Sequence, residues 1–159
     1  WIYHSLLPVI GVTMVLLART KKLFFNALWA CVATTLILHF FYVAFPSFYP
    51  RPEFVPQDLS EMLVQVSYDI DNSSNTFPSG HVAFAWMMFW VAKHSQRAKR
   101  TPIIINFYLF WAIGISVSTL ARKMHYIVDI LGGFIVASSS FFVMREVIRR
   151  RNWYPRTAE

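Results

Sequence analysis

The feature that most constrains this chain is a series of apolar runs, at Ile2 to Ala18, Leu23 to Phe45, His81 to Ala92, Ile103 to Ala121 and Tyr126 to Val147. A helix needs roughly 17–25 apolar residues to cross about 30 Å of hydrocarbon. Four of the runs reach that length, and the third is short and borrows polar residues at its ends. The expected fold is therefore all-α, a multi-pass transmembrane helical bundle with five spans, forming one membrane-embedded domain over residues 1–159. Composition agrees: 56% of the 159 residues are hydrophobic, 14% are charged, and mean hydropathy is +0.43. Such a chain carries too much apolar surface for a disordered linker and too little charge for an ordinary soluble domain. Cys31 is the lone cysteine, so the chain forms no internal disulfide.

The net charge of +7 raises the question of nucleic acid, and the positions of the charges answer it. If the loops alternate across the membrane, one face collects Arg19, Lys21, Lys22, Lys93, Arg97, Lys99, Arg100, Arg145, Arg149, Arg150, Arg151 and Arg156, which is 12 of the 15 Lys and Arg. Arg51, Arg122 and Lys123 remain on the other face. The positive-inside rule makes the crowded face cytoplasmic. Clustering at span ends marks contact with lipid headgroups and argues against a nucleic-acid stripe. The expected partners are membrane lipids. The same alternation puts Trp1 on the outer side, which predicts a further crossing upstream and six spans in the full protein.

The connection over residues 46–80 is too long for a plain loop and faces outward, whereas residues 148–159 form a basic cytoplasmic tail. Within the loop, Ser60 to Val66 reads as a helix lying along the interface, and Asp69 to Thr76 as turn and cap residues. Two polar clusters then fall on the outer face. In Thr76-Phe77-Pro78-Ser79-Gly80-His81, Ser79 is suited to cap the third span and Gly80 allows close backbone approach. The free first-turn amides there favour an anion such as phosphate. In Ser118 to Asp129, His125 and Asp129 are four residues apart, a spacing that puts them on one helical face. The carboxylate then holds one imidazole nitrogen and leaves the other free for nucleophilic or basic work. His39 reads as a mid-span residue making an interhelical hydrogen bond, and His4 and His94 as bystanders. Gly132-Gly133 and Ser138 to Ser140 read as close-packing positions.

Pro78-Ser79-Gly80-His81, followed by Ser118-x6-His125-x3-Asp129, resembles the second and third signature motifs of the type 2 phosphatidic acid phosphatase superfamily. The likeness extends from Arg51 to Gly133. Two positions depart from the family pattern: Ala44 stands where the first motif has lysine, and Thr119 where the third has arginine. Similar losses, with a His-Tyr-x-x-Asp sequence, mark the inositol phosphorylceramide synthase-like branch.

The resemblance implies a lipid phosphate substrate, His125 as nucleophile oriented by Asp129, and His81 as general acid and base. It implies phosphate contacts from Ser79, Gly80, Arg51, Ser118 and, in place of the missing arginine, Arg122. It implies no metal and no cofactor, although His81, His125 and Asp129 also make up a facial metal set. The expected activity is hydrolysis of a lipid phosphate ester through a phosphohistidine at the outer face. Two alternatives stand beside it: transfer of a phosphoryl headgroup to an alcohol, and a non-catalytic membrane scaffold or binding relative.

Overall fold

The computed structural model describes residues 2–53, 55–70 and 74–151. The expectations placed on Trp1, on residues 71–73, on Arg156 and on the tail from 152 lie outside them. Among the described residues the architecture is all-α. A 3-10 turn over Tyr3–Ser5 leads into α1 (Leu6–Leu16), α2 (Lys21–Ala44), α3 (Leu59–Ile70), α4 (Gly80–His94), α5 (Gln96–Lys99), α6 (Pro102–Ala121) and α7 (Ile127–Arg151).

The starts of α2, α3, α4 and α6 have local causes. The Thr20 hydroxyl accepts the Leu23 amide and caps α2, the Ser79 hydroxyl caps α4, and Pro102 supplies a preset φ at the first turn of α6. For α3, the Asp58 carboxylate accepts the Glu61 amide at 2.8 Å, while the Glu61 carboxylate reaches back to the Gln57 amide at 2.7 Å. This is a capping-box arrangement displaced by one residue.

Helices α2, α6 and α7 are long and apolar enough to cross a membrane, and their bounds lie within a few residues of the expected spans apart from the basic end of α7. Five crossings do not follow from length. Helix α1 has 11 residues and α4 has 15, about 16 and 22 Å at 1.5 Å per residue. The shortness of α4 has a physical reason: it is the central helix, packed against α1, α2, α6 and α7. Val82, Ala83, Ala85, Met87, Met88, Val91 and Ala92 along it are fully buried. A helix walled by protein is not sized by the lipid around it.

The bundle is turned outward in the sense expected of a membrane protein. Small residues such as Ala27, Ala30, Ala83, Ala112 and Ala137 are buried between helices, whereas Leu36, Phe40, Phe107, Phe110, Leu131 and Ile135 are exposed. Polar side chains in the interior bond across helices. The Trp90 indole donates to Ser138, Trp86 to Ser116, and Thr13 pairs with Tyr108 at 2.7 Å.

Candidate active site

The two motif clusters meet where α4 and α7 begin. Ser79 has extended backbone, and its buried hydroxyl accepts the Val82 amide at 3.5 Å. Its carbonyl receives the Ala83 amide, and its own amide donates to the Asp129 carbonyl at 3.0 Å. One backbone hydrogen bond thus ties the second motif to the third. Gly132 and Gly133 make this approach possible. A Cβ on Gly133 would stand 2.5 Å from the Ser79 carbonyl oxygen, and one on Gly132 would stand 2.8 Å from the Phe77 ring. Gly80 differs: a Cβ there would meet the Tyr42 hydroxyl at 3.4 Å, an ordinary contact, so nothing in the protein itself demands glycine.

The His125–Asp129 pair forms by a route other than the expected one. Helix α7 starts at Ile127, so His125 precedes the helix and does not share a helical face with Asp129. Asp129 lies in the first turn and folds back, its Oδ2 accepting the Tyr126 amide at 2.8 Å and facing His125 Nδ1 at 3.4 Å. The carboxylate therefore both caps α7 and orients the imidazole. It is 1% exposed. A carboxylate offers only acceptor atoms, so the imidazole proton sits on Nδ1 and the lone pair on Nε2.

A cavity of about 400 Å³ opens at this end, lined by Arg51, Gly80, His81 and His125. Asp129 stands behind His125. The other expected site residues point elsewhere. Ser79 is committed to the cap, and Ser118 Oγ donates to the Ile115 carbonyl of its own helix at 2.8 Å. Arg122 turns to α3, bonding the Leu63 carbonyl at 2.9 Å and the Ser67 hydroxyl. Thr119, at the motif-arginine position, is buried and donates to the Ser116 carbonyl. Arg51 donates to the Tyr68 carbonyl at 2.7 Å and lies over the Tyr68 ring. Burial holds the Tyr68 hydroxyl above its usual range, against the pull of the Arg51 and Arg122 charges. Among the described residues, no group of three or more His, Cys, Asp or Glu is placed to hold a metal.

Two contributors were not foreseen. His39 lines the cavity with Thr35, Leu38 and Tyr42 from the same face of α2. It sits at the end of the bundle that carries the two motif clusters, and its Nδ1 bonds the Thr35 carbonyl of its own helix at 2.8 Å. The spacing 35, 38, 39, 42 is a helical stripe that sequence alone contains. Tyr3 is the second: its ring stacks on His81 at 4.3 Å, its hydroxyl is 3.3 Å from His81 Nδ1, and Arg122 lies over it at 4.4 Å. No local spacing signals that contact, because it joins residues 78 apart.

The PAP2 superfamily profile matches residues 23–153, most of the chain, and takes in both motif clusters. Comparisons with curated proteins and with solved structures yield no match. With the signature residues gathered at one cavity and the profile running through four of the bundle's long or central helices, the chain belongs to the PAP2 superfamily, whose members are generally phosphatases and phosphotransferases.

Proposed function

We propose that this protein is a membrane enzyme that hydrolyses a lipid phosphate ester at the outer, periplasmic or luminal, face through a phosphohistidine on His125. The observation that carries the reading is the shared cavity. An imidazole with a carboxylate behind its Nδ1 faces a second imidazole, an arginine and a helix N-terminus across about 400 Å³. Nε2 of His125 attacks phosphorus as the bond to the lipid oxygen breaks, and Asp129 stabilises the imidazolium that develops. His81 gives a proton to the departing oxygen and then takes one from the water that cleaves the P–N bond. General acid–base work of this kind contributes about 10²- to 10⁴-fold. Arg51 and the first-turn amides of Gly80 and His81 hold the phosphoryl oxygens where charge grows.

The residues of all five apolar runs form a single domain spanning the membrane, with α4 enclosed by the other helices and α1 at the edge of the bundle, where Leu7, Val12 and Val15 are exposed. The described residues of the 46–80 connection lie outside, with α3 along the interface on its exposed Leu59, Met62 and Val66. The basic end is cytoplasmic.

A specific observation favours a second reading, transfer to an alcohol. The motif lysine and arginine are replaced by Ala44 and Thr119, and the cavity wall adds Thr35, His39 and Tyr42 beside apolar Leu6, Leu38 and Phe84. That wall suits an acceptor with hydroxyl groups on an apolar body. The test offers labelled phosphatidic acid, isoprenyl phosphates and phosphatidylinositol to wild type and His125→Ala, with and without an alcohol, in EDTA. Release of phosphate by wild type alone supports the hydrolase, and product only with the alcohol selects the transferase. Equal turnover by the two proteins removes the mechanism. No turnover by either leaves the scaffold reading.

A further inference from the structure

A second cavity, of about 330 Å³, lies at the other end of the same helices, where Thr20, Lys22 and Asn26 of the α2 start face His94, Lys99 and Arg145. From His39 to Lys22 the separation along α2 is about 26 Å, so this cavity is distinct from the catalytic one.

Three features define what it accepts. First, the cationic groups come from three separate segments, α2, α5 and α7. Second, Arg145 is positioned: His94 Nδ1 bonds the Trp90 carbonyl at 2.9 Å, so its proton is there, and Nε2 accepts from Arg145 at 2.7 Å. A neutral histidine thus aims the guanidinium without cancelling its charge. Third, Asn26 lines the cavity while only 4% exposed, and its buried Oδ1 has no hydrogen-bond partner among the described residues. A buried amide oxygen without a donor is costly. The capped start of α2, with its positive dipole end, opens on the same space.

We infer that this cavity binds a phosphate-ester group, the cations and the α2 start holding its anionic oxygens and Asn26 accepting from a hydroxyl on it. The lysine and arginine charges alone would mark only a solvated basic face. The buried, unpartnered amide among them makes the space a site with both acceptor and donor demands. A phospholipid headgroup carrying a hydroxyl and a soluble phosphate both meet those demands, so both are tested.

The experiment uses the full chain purified in neutral detergent, with binding read as a ligand-dependent thermal midpoint and as mass adducts. Dioctanoyl phosphatidylglycerol and inorganic phosphate are the two probes. Binding is expected to saturate, to weaken at least tenfold in Lys99→Ala/Arg145→Ala and in Asn26→Asp, and to persist in His125→Ala. Asn26→Asp keeps the side-chain volume but adds a repelling charge, and the exposed Lys99 and Arg145 variants cover the case in which it fails to fold. A response to the lipid only assigns a headgroup site, and an equal response to inorganic phosphate assigns a soluble anion. No saturable binding, binding unchanged in the Lys99/Arg145 variant, or binding lost in His125→Ala would overturn the inference.

Discussion

Replacing Asp129 separates two jobs that one carboxylate does. Its Oδ2 takes the Tyr126 amide at 2.8 Å, a good hydrogen bond, and stands 3.4 Å from His125 Nδ1, a long one. The resting pair contributes little at that distance. Its value grows when attack makes His125 cationic and the contact tightens. In Asp129→Asn the amide oxygen can still cap α7, so the helix start survives, but there is no charge to stabilise the imidazolium. The loss of such an orienting carboxylate costs about 10⁴ in kcat in the serine protease triad, or roughly 5.4 kcal/mol in the barrier at 1.36 kcal/mol per tenfold. The longer contact here lowers the expectation to about 10³–10⁴. Asp129→Ala loses the cap as well, a further cost of about 0.5–2 kcal/mol in stability. The assay is phosphate release from a short-chain lipid phosphate, with thermal midpoints measured on the same preparations. Asn and Ala variants are predicted to be equally inactive while only Ala lowers the midpoint substantially. An Asn variant within tenfold of wild type would refute the argument and reduce Asp129 to a helix cap.

Other consequences follow from the same geometry. Gly133→Ala forces a methyl to 2.5 Å from the Ser79 carbonyl oxygen and should destabilise the α4–α7 junction by about 1–3 kcal/mol. Gly80→Ala should leave the thermal midpoint unchanged and lower kcat/KM, because its methyl fills space meant for substrate. Tyr3→Phe keeps the ring on His81 but removes the hydroxyl near Nδ1. With His81 acting as the acid it should lose roughly 2- to 10-fold in kcat. Asp58, held below the usual carboxylate range by the Glu61 amide and the Ser60 hydroxyl, should stabilise α3 fully above the ordinary carboxylate pKa. That contribution is lost as pH falls through the lowered value. Amide exchange across α3 should show this pH dependence in wild type and not in Asp58→Ala.

Much of this was legible in the residues themselves. Long spans carry their own signal, because lipid demands an uninterrupted apolar length, and α2, α6 and α7 start within two residues of where hydropathy puts them. Helix α4 was harder to bound. Protein contacts on every side make its length a property of the bundle and not of its own sequence. Type and order in the sequence point to His81, His125 and Asp129, and the structure brings them to one end of the bundle, yet the last two meet in a way that spacing does not predict. A spacing of four suggests a helical face, whereas the pair is made by a capping carboxylate reaching back past the helix start. Motif position alone points Arg122 and Ser118 toward the phosphate, and in the structure both side chains bond elsewhere. The docking of α3, which brings Leu63 and Ser67 to Arg122, has no local signature. His39 shows the reverse case: its stripe with Thr35 and Tyr42 was present in the sequence, but which end of α2 the cavity occupies depends on how the helices pack.

The most direct test of the central claim is to trap the enzyme during turnover. Wild type is mixed with a lipid phosphate labelled at phosphorus, quenched in alkali within milliseconds, and digested for peptide mapping. The account predicts an alkali-stable, acid-labile label on His125 that appears before product, is absent from His125→Ala, and is discharged by water or an alcohol acceptor. A fully active enzyme that carries no label, or one whose label maps to His81 or His39, would contradict it.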